Sequence, residues 1–426
     1  MGVGVHHLPA RDSANHRTGY PAGVTSVKAR HVTTTKLAVV ASAVLVAVVP
    51  LPATFVEQAF SGRTYLFFQP LVTATSNHVP FFLLDLALAG MVAAAMVMVG
   101  RRFRRRAVGR GFPGLSGIEG SRAVGAVGAP KGAPCKGAPY LKESGLPSER
   151  WGRARVAASN LVVLTAAIYL AFEACWGLNY QRLPLATRFD FDRGRVTPGR
   201  ATAWVRTAIG RLNRGHPEAY AEPWPSARDL PGRLGPAFAR SQRLLGARRV
   251  ATPGVPKPTL LAPYFRWAGV DGVTNPFGLD IAVNPHVTPA ERPFVVAHEW
   301  GHLAGFANEA EANFFAWLTC MQGDAQAQYS GWLSVLGHLV EPVARDERRQ
   351  LLAALDGGPR RDLAAMAARS QQTLRPVRVI AWGTYDRFLR ANRVEGGMAS
   401  YSLVTELLLG VRFDDAWRPA LKKGPL

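Results

Sequence analysis

The residues of this chain best suited to chemistry form the pentapeptide HEWGH, from His298 to His302. Residues four apart lie on one face of a helix, so the two imidazoles can share one zinc ion. Glu299 follows the first histidine and projects beside that ion, where its carboxylate can accept a proton from a zinc-bound water. The spacing therefore predicts a hydrolytic zinc site with Glu299 as the general base.

Such a site needs a third protein ligand after the helix ends. Gly305 follows His302 by three residues and can end the helix in a left-handed conformation. The acidic residues that come next are Glu309 and Glu311, within the segment FANEAEAN. Either carboxylate can bind zinc, and the spacing alone leaves this choice open.

The HExxH pattern, the glycine turn and the ExEAN element together resemble the gluzincin metallopeptidases. They are similar to the ImmA/IrrE-type metallopeptidases and, more distantly, to the CAAX prenyl endopeptidases. In those families the first glutamate of the second motif binds zinc, which implies Glu309 as the third ligand, with Glu311 as the alternative. The families often carry aspartate where this chain has Asn313, and asparagine does not supply the same charge.

Several short segments also resemble one bacterial family of unknown function, which has three N-terminal spans and a zincin-like domain. This resemblance covers roughly residues 155–413 and implies the zinc site more specifically than it implies any substrate. The segments are WGLNY, TNPFG, AHEWGHLAGFANEAEANFFAWL, YDRFLRAN and GGMASYSLV.

Peptide hydrolysis also needs a hydrogen-bond donor for the developing oxyanion. The candidate donors are His286, Tyr329, His338 and Tyr385. Each of them alone is more typical of a packing or surface role. Tyr385 has the strongest claim, because Tyr385-Asp386 lies in one of the family-like segments.

The composition and the placement of charge indicate a membrane protein. Of the 426 residues 48% are hydrophobic, and the formal net charge is +22. The run RRFRRR at 101–106 directly follows an apolar segment, where membrane proteins keep their cytoplasmic positive charge. This placement favours a lipid bilayer over nucleic acid as the partner of the basic residues.

Three apolar segments have the length of a transmembrane helix, at 37–56, 81–100 and 156–176. Asp85 is the one charge in the second segment and is expected near the membrane interface. Trp176 and Tyr180, after the third, are typical of the same interface. Cations are dense before the first segment and after the second, which places residues beyond the third span outside the cytoplasmic membrane.

The expected fold is mainly α with a small β element, and the chain divides into five parts. Within the last part, 279–283 (LDIAV) is expected to form an edge strand that pairs with extended substrate. The parts are a disordered basic cytoplasmic tail (1–36), two transmembrane helices (37–100), a basic Gly/Ala/Pro-rich cytoplasmic linker (101–155), a third transmembrane helix (156–180) and a zincin-like metallopeptidase domain (181–426).

The sequence thus predicts a multi-pass protein of the cytoplasmic membrane with an extracytoplasmic zinc peptidase that acts on a protein or peptide. The alternative is a catalytically inactive zinc-binding membrane protein with a structural or regulatory role. It shares every zinc ligand, and the presence of Glu299 favours the enzyme. The cysteines at 135, 175 and 320 show no pairing pattern, so no structural disulfide is expected.

Overall fold

The computed structural model describes residues 22–109, 147–394 and 403–422. Most of the predicted tail and linker, including Cys135, lies outside the described residues. Within them the chain is mainly helical with one small three-stranded sheet, as the sequence predicts. The chain divides into two compact units, Met1–Val49 with Lys142–Leu170, and Pro50–Leu141 with Ala171–Leu426.

Among the described residues, two helices contain a segment long and apolar enough to span a membrane. The segment Leu84–Arg101 lies in helix α4, and the segment Trp151–Cys175 lies in helix α5. A third candidate is the pair Thr34–Val48 and Ala53–Asn77, which is bent by 107°. Two prolines, at 50 and 52, lie at this bend and account for it, because proline cannot donate the helical hydrogen bond. The predicted first span therefore crosses a break.

The described elements follow one another in a simple order. The first unit holds α1 and most of α5, and the second holds the rest of the elements. The helices are α1 (Ala22–Val48), α2 (Ala53–Phe55), a π-helix (Val56–Tyr65), α3 (Leu66–Asn77), α4 (Leu84–Gly109), α5 (Pro147–Cys175), α6 (Pro198–Ala219), α7 (Leu230–Leu244), α8 (Ala262–Ala268), α9 (Arg292–Leu303), α10 (Glu309–Met321), α11 (Ala325–Val340), α12 (Arg345–Ala353), α13 (Gly357–Ser370), α14 (Arg375–Ala391) and α15 (Leu403–Gly410). The strands are β1 (Pro256–Lys257), β2 (Gly272–Thr274) and β3 (Ile281–Val283).

The sheet has the order β1-β3-β2, with β3 parallel to β1 and antiparallel to β2. The prediction of an edge strand at 279–283 is therefore wrong, because Ile281 and Ala282 pair on both sides. Both residues are fully buried, which is typical of a central strand. The edge beside α9 is formed by β2, whose residues are half-buried.

The pair α9 and α10 lies in the hydrophobic core of the second unit. Trp300 on α9 and Trp317 on α10 are completely buried. The two helices approach closely at Gly301, where a Cβ atom would lie 3.3 Å from the Cα of Ala312. The last helix, α15, is buried in the same core.

Residues 53–77 belong to the same unit as α9, although the predicted domain begins at residue 181. Glu57 forms ion pairs with Arg182 and Arg188. Thr73 donates a hydrogen bond to the Leu279 carbonyl at 2.7 Å. The segment between the first two apolar stretches is thus part of the folded domain.

Candidate metal centre

Helix α9 ends in a left-handed glycine, as the sequence predicts. Gly305 has a φ of +83°, which a residue with a Cβ adopts at a cost. The Phe306 N–H donates to the Gly301 carbonyl at 3.0 Å, and the Gly305 N–H donates to His302 at 2.9 Å. These two bonds form a Schellman motif, which turns the chain sharply toward α10.

The carbonyls at the end of α9 receive hydrogen bonds from distant parts of the chain. Trp176 Nε1 donates to the His302 carbonyl at 2.9 Å, and the Tyr65 hydroxyl donates to Leu303 at 2.7 Å. Arg182 donates to the Gly305 carbonyl at 2.8 Å. Trp176 is buried, so its ring packs within the protein and holds the end of α9.

Helix α10 begins at the residue that completes the centre. The Asn308 side chain accepts a hydrogen bond from the Ala310 N–H at 2.9 Å and so caps the helix. Glu309 is the first residue after this cap. The glycine turn and the asparagine cap together bring Glu309 back to the face of α9 that carries both histidines.

His298, His302 and Glu309 form a compact cluster, with their ligand atoms all within 4.8 Å of one another. The two Nε2 atoms are 3.1 Å apart, and Glu309 Oε2 lies 3.2 Å from His298 Nε2 and 3.7 Å from His302 Nε2. Glu309 Oε2 is buried and has no hydrogen-bond donor within the described part of the chain. Two nitrogens and one bare carboxylate oxygen therefore converge on one point.

The outer nitrogen of each histidine is held by a hydrogen-bond acceptor. His298 Nδ1 lies 2.8 Å from Asn313 Oδ1, and His302 Nδ1 lies 2.8 Å from the Phe306 carbonyl. These acceptors favour the proton on Nδ1 and direct the Nε2 lone pairs into the cluster. A neutral amide oxygen thus takes the position where the resembling families often carry aspartate.

The other acidic candidate, Glu311, points away from the cluster. Its Oε1 accepts a hydrogen bond from the Leu185 N–H at 2.6 Å. Arg182 and Arg188 act on the same carboxylate electrostatically. Glu311 therefore belongs to a buried polar network on the other face of α10.

Glu299 is buried against the edge strand β2. Thr274 Oγ1 donates to its Oε2 at 2.8 Å. A Cβ atom at Gly272 would lie only 2.5 Å from Oε1, so the strand leaves room for the carboxylate only because this residue is glycine. Burial raises the pKa of Glu299. Sequence reasoning missed Gly272 and Thr274, since nothing in TNPFG or its neighbours marks them as partners of α9.

Of the four candidate donors for an oxyanion, one contacts the cluster. The Tyr385 hydroxyl, on α14, donates to Glu309 Oε1. Tyr329 instead donates to Asp362, and His286 is exposed. Burial lowers the pKa of His338, and so does the charge of His298, so this side chain lies within electrostatic range of the cluster. Tyr385 contacts Glu309, a candidate metal ligand, so its hydroxyl can orient that carboxylate.

The carboxylates of the cluster favour positive charge beside the histidines, as a proton or as a metal ion. Burial by itself lowers the pKa of His302, but the carboxylates of Glu309 and Glu299 raise it to about 9. Burial likewise works against ionised Glu309, but the two imidazoles hold its pKa well below the usual range. A deprotonated Glu309 beside two imidazoles offers the donor set that zinc binds in proteins.

Asn313→Ala is expected to weaken zinc binding by about 10–100-fold, because His298 loses the acceptor that orients its ring. Asn313→Asp keeps the acceptor oxygen and should bind zinc at least as tightly as the wild type. Competition with a chromophoric chelator measures both affinities. Equal zinc affinity in Asn313→Ala and wild type would show that the Asn313–His298 contact does not orient the ligand.

The described residues form a mainly helical fold with two or three helices apolar enough to span a membrane, and its site is a cluster of two histidines and one glutamate. A family model described as "Protein of unknown function (DUF3810)" matches residues 146–409. The match covers more than half of the chain, and the chain belongs to this family. No curated protein and no solved structure matches it.

Proposed function

We propose that the protein is a membrane-anchored, zincin-like zinc metallopeptidase. One observation carries the proposal, namely the convergence of His298, His302 and the bare Oε2 of Glu309 beside the buried carboxylate of Glu299. Two imidazoles and one carboxylate are the ligands of many catalytic zinc sites, which keep a fourth position open. Bound there, zinc would lower the pKa of a water to around 7 and polarise the scissile carbonyl.

The remaining steps belong to the side chains around the ligands. Glu299 accepts the proton of the attacking water and passes it to the leaving amine. Thr274 holds Oε2 of this base at 2.8 Å, and burial raises its pKa toward the working range of a general base. Tyr385 orients Glu309 through its hydroxyl.

The free edge of β2 supports a peptide as the substrate. The Asn284 N–H donates to the Asp271 carbonyl, and the Asn275 N–H donates to the Asp280 carbonyl. In this antiparallel register the odd-numbered residues in and beside β2 form the hydrogen bonds to β3. The backbone groups of Gly272 and Thr274 therefore face the open edge. An extended peptide that adds to this edge would run beside Glu299.

The function is tested with the purified full chain in lipid nanodiscs. Metal analysis should find about one zinc per chain, the number a single three-ligand site holds. A quenched-fluorescence peptide library should be hydrolysed, with activity lost on treatment with a chelator and restored by zinc. A zinc-loaded protein that cuts no member of the library would support the zinc-binding, non-hydrolytic alternative and overturn the peptidase.

We also propose that the zinc site is extracytoplasmic. The domain contacts the N-terminal end of α4, where the Asp85 carboxylate accepts hydrogen bonds from Thr259 and Leu260. The arginine run RRFRRR lies at the opposite end of the same helix. Positive residues mark the cytoplasmic side, so the domain and the arginines lie on opposite sides of the membrane.

This orientation predicts the labelling of single cysteines by a membrane-impermeant maleimide. Cysteine at Arg193, whose side chain is 82% exposed, should react in intact cells. Cysteine at Phe103, which is 65% exposed, should react only after the membrane is opened. The reverse pattern would place the zinc site in the cytoplasm.

A further inference from the structure

Helix α14 presents an apolar face that the described part of the chain leaves uncovered. Of its 17 residues, Leu389 alone is buried. Val379 is 62% and Ile380 is 70% exposed. By helical spacing Ile380 lies opposite Leu389 and Tyr385, which face the domain, and Val379 lies on the flank of the helix between the two sides. Adjacent β-branched residues at this exposure forgo the stabilisation that burial of apolar area provides.

The N-terminal half of α14 lies beside the start of a candidate membrane span. Trp382 Nε1 donates to the Ala268 carbonyl at 3.0 Å, and the Leu374 N–H donates to Trp267 at 2.9 Å, which fixes α14 on α8. The residues just before α8 bind the first turn of α4, since the Leu260 N–H donates to Asp85 at 2.9 Å. The span in α4 begins at Leu84.

The C-terminal half of α14 contacts the last turn of α5, the helix that contains the other candidate span. The Phe388 ring lies 6.0 Å from the rings of both Phe172 and Tyr180. Phe172 is in the last turn of α5, whose span ends at Cys175. Helix α14 therefore runs between the ends of two membrane helices.

The surface around α14 has the side chains of a membrane interface. On α8, Tyr264 is 40% and Trp267 is 44% exposed, and Leu260 just before it is 67% exposed. Tyrosine and tryptophan are enriched where lipid headgroups meet the hydrocarbon. A row of such residues at the end of a span is continuous with the lipid-facing surface of that span.

The charge of this surface is complementary to anionic lipid. Arg266 on α8 and Arg375, Arg378 and Arg387 on α14 are exposed, and none forms an ion pair with an acidic residue in the described part of the chain. Cations close to an anionic bilayer are attracted to its surface. Exposed apolar side chains flanked by unpaired arginines are typical of helices that lie in the membrane surface.

We propose that α8 and α14 form a lipid-docking surface that lies in the headgroup region of an anionic bilayer around the end of α4. Tyr385 is carried by α14 and bonds to Glu309, so the lipid surface and the metal cluster share one helix. The docking surface depends on α8 and α14 alone, and it holds whether or not the centre hydrolyses peptides.

The test measures the depth of single sites on the full chain. Cysteine replaces Ile380 or, as the control, Asp346 on α12, whose side chain is 89% exposed. The background carries Cys135→Ser and Cys175→Ser and keeps the buried Cys320. Each cysteine receives a nitrobenzoxadiazole label, and the protein is reconstituted in liposomes of phosphatidylcholine with phosphatidylglycerol.

Brominated lipid should quench the label at residue 380 several-fold more strongly than the label at 346, and aqueous iodide should show the reverse. Arg375→Glu with Arg378→Glu should reduce the lipid quenching at 380 in liposomes with phosphatidylglycerol. Equal iodide quenching at both positions would show that α14 faces water. Protection from both quenchers, with 380–380 crosslinks between chains, would show that a second copy covers α14. Either of these results overturns the proposal.

Discussion

Glu299→Gln is expected to give a folded, zinc-loaded protein that hydrolyses peptides about 10²–10⁴-fold more slowly than the wild type, which is the usual value of general-base help. Glutamine keeps the size of the side chain and an oxygen that accepts the Thr274 hydrogen bond. It cannot accept a proton from water. The measurement is kcat on a peptide substrate, with zinc content and thermal unfolding recorded on the same sample.

The controls separate chemistry from folding. Glu299 is held by the edge strand and contributes no ligand atom to the cluster, so zinc content should remain that of the wild type. Equal rates in Glu299→Gln and wild type would show that another group is the base. Loss of zinc or of the folded state in Glu299→Gln would make this carboxylate structural, and the HExxH interpretation of its role would fail.

Glu309→Ala is expected to lower zinc affinity by more than about 100-fold, because loss of a residue that only hydrogen-bonds a metal ligand already lowers metal affinity about 10–100-fold. The ligand atoms of His298 and His302 remain, but two imidazoles leave zinc without its only charged donor. Tyr385 also loses the carboxylate to which its hydroxyl donates. Metal analysis after dialysis, followed by chelator competition, measures the change.

The matched control is Glu311→Gln, two residues further along α10. Glutamine keeps the oxygen that accepts the Leu185 N–H, so neither zinc affinity nor stability should fall. Glu311→Ala, in contrast, leaves that N–H without its acceptor and should lower the free energy of unfolding by about 1–3 kcal/mol while zinc is retained. Retention of zinc in Glu309→Ala together with its loss in Glu311→Gln would assign the third ligand to Glu311.

The sequence by itself determined the features that depend on neighbours along the chain. The spacing of His298 and His302 fixes both imidazoles on one face of a helix, because the helical period does so wherever the helix lies. Gly305 ends that helix through its freedom to adopt a positive φ. The apolar segments at 81–100 and 156–176 predicted the spans in α4 and α5, since length and composition decide that property.

Only the tertiary structure decided which groups meet. The spacing along the chain does not distinguish Glu309 from Glu311 as the third ligand. In the fold the Leu185 N–H donates to Glu311, and the two histidines lie beside Glu309. The central position of β3 depends on β1, and the Glu299 carboxylate is held by Thr274, 25 residues before it. Tyr65 reaches the end of α9 across 238 residues. Such pairings depend on long-range packing, which the local period of hydrophobic residues, the turns and the caps do not specify.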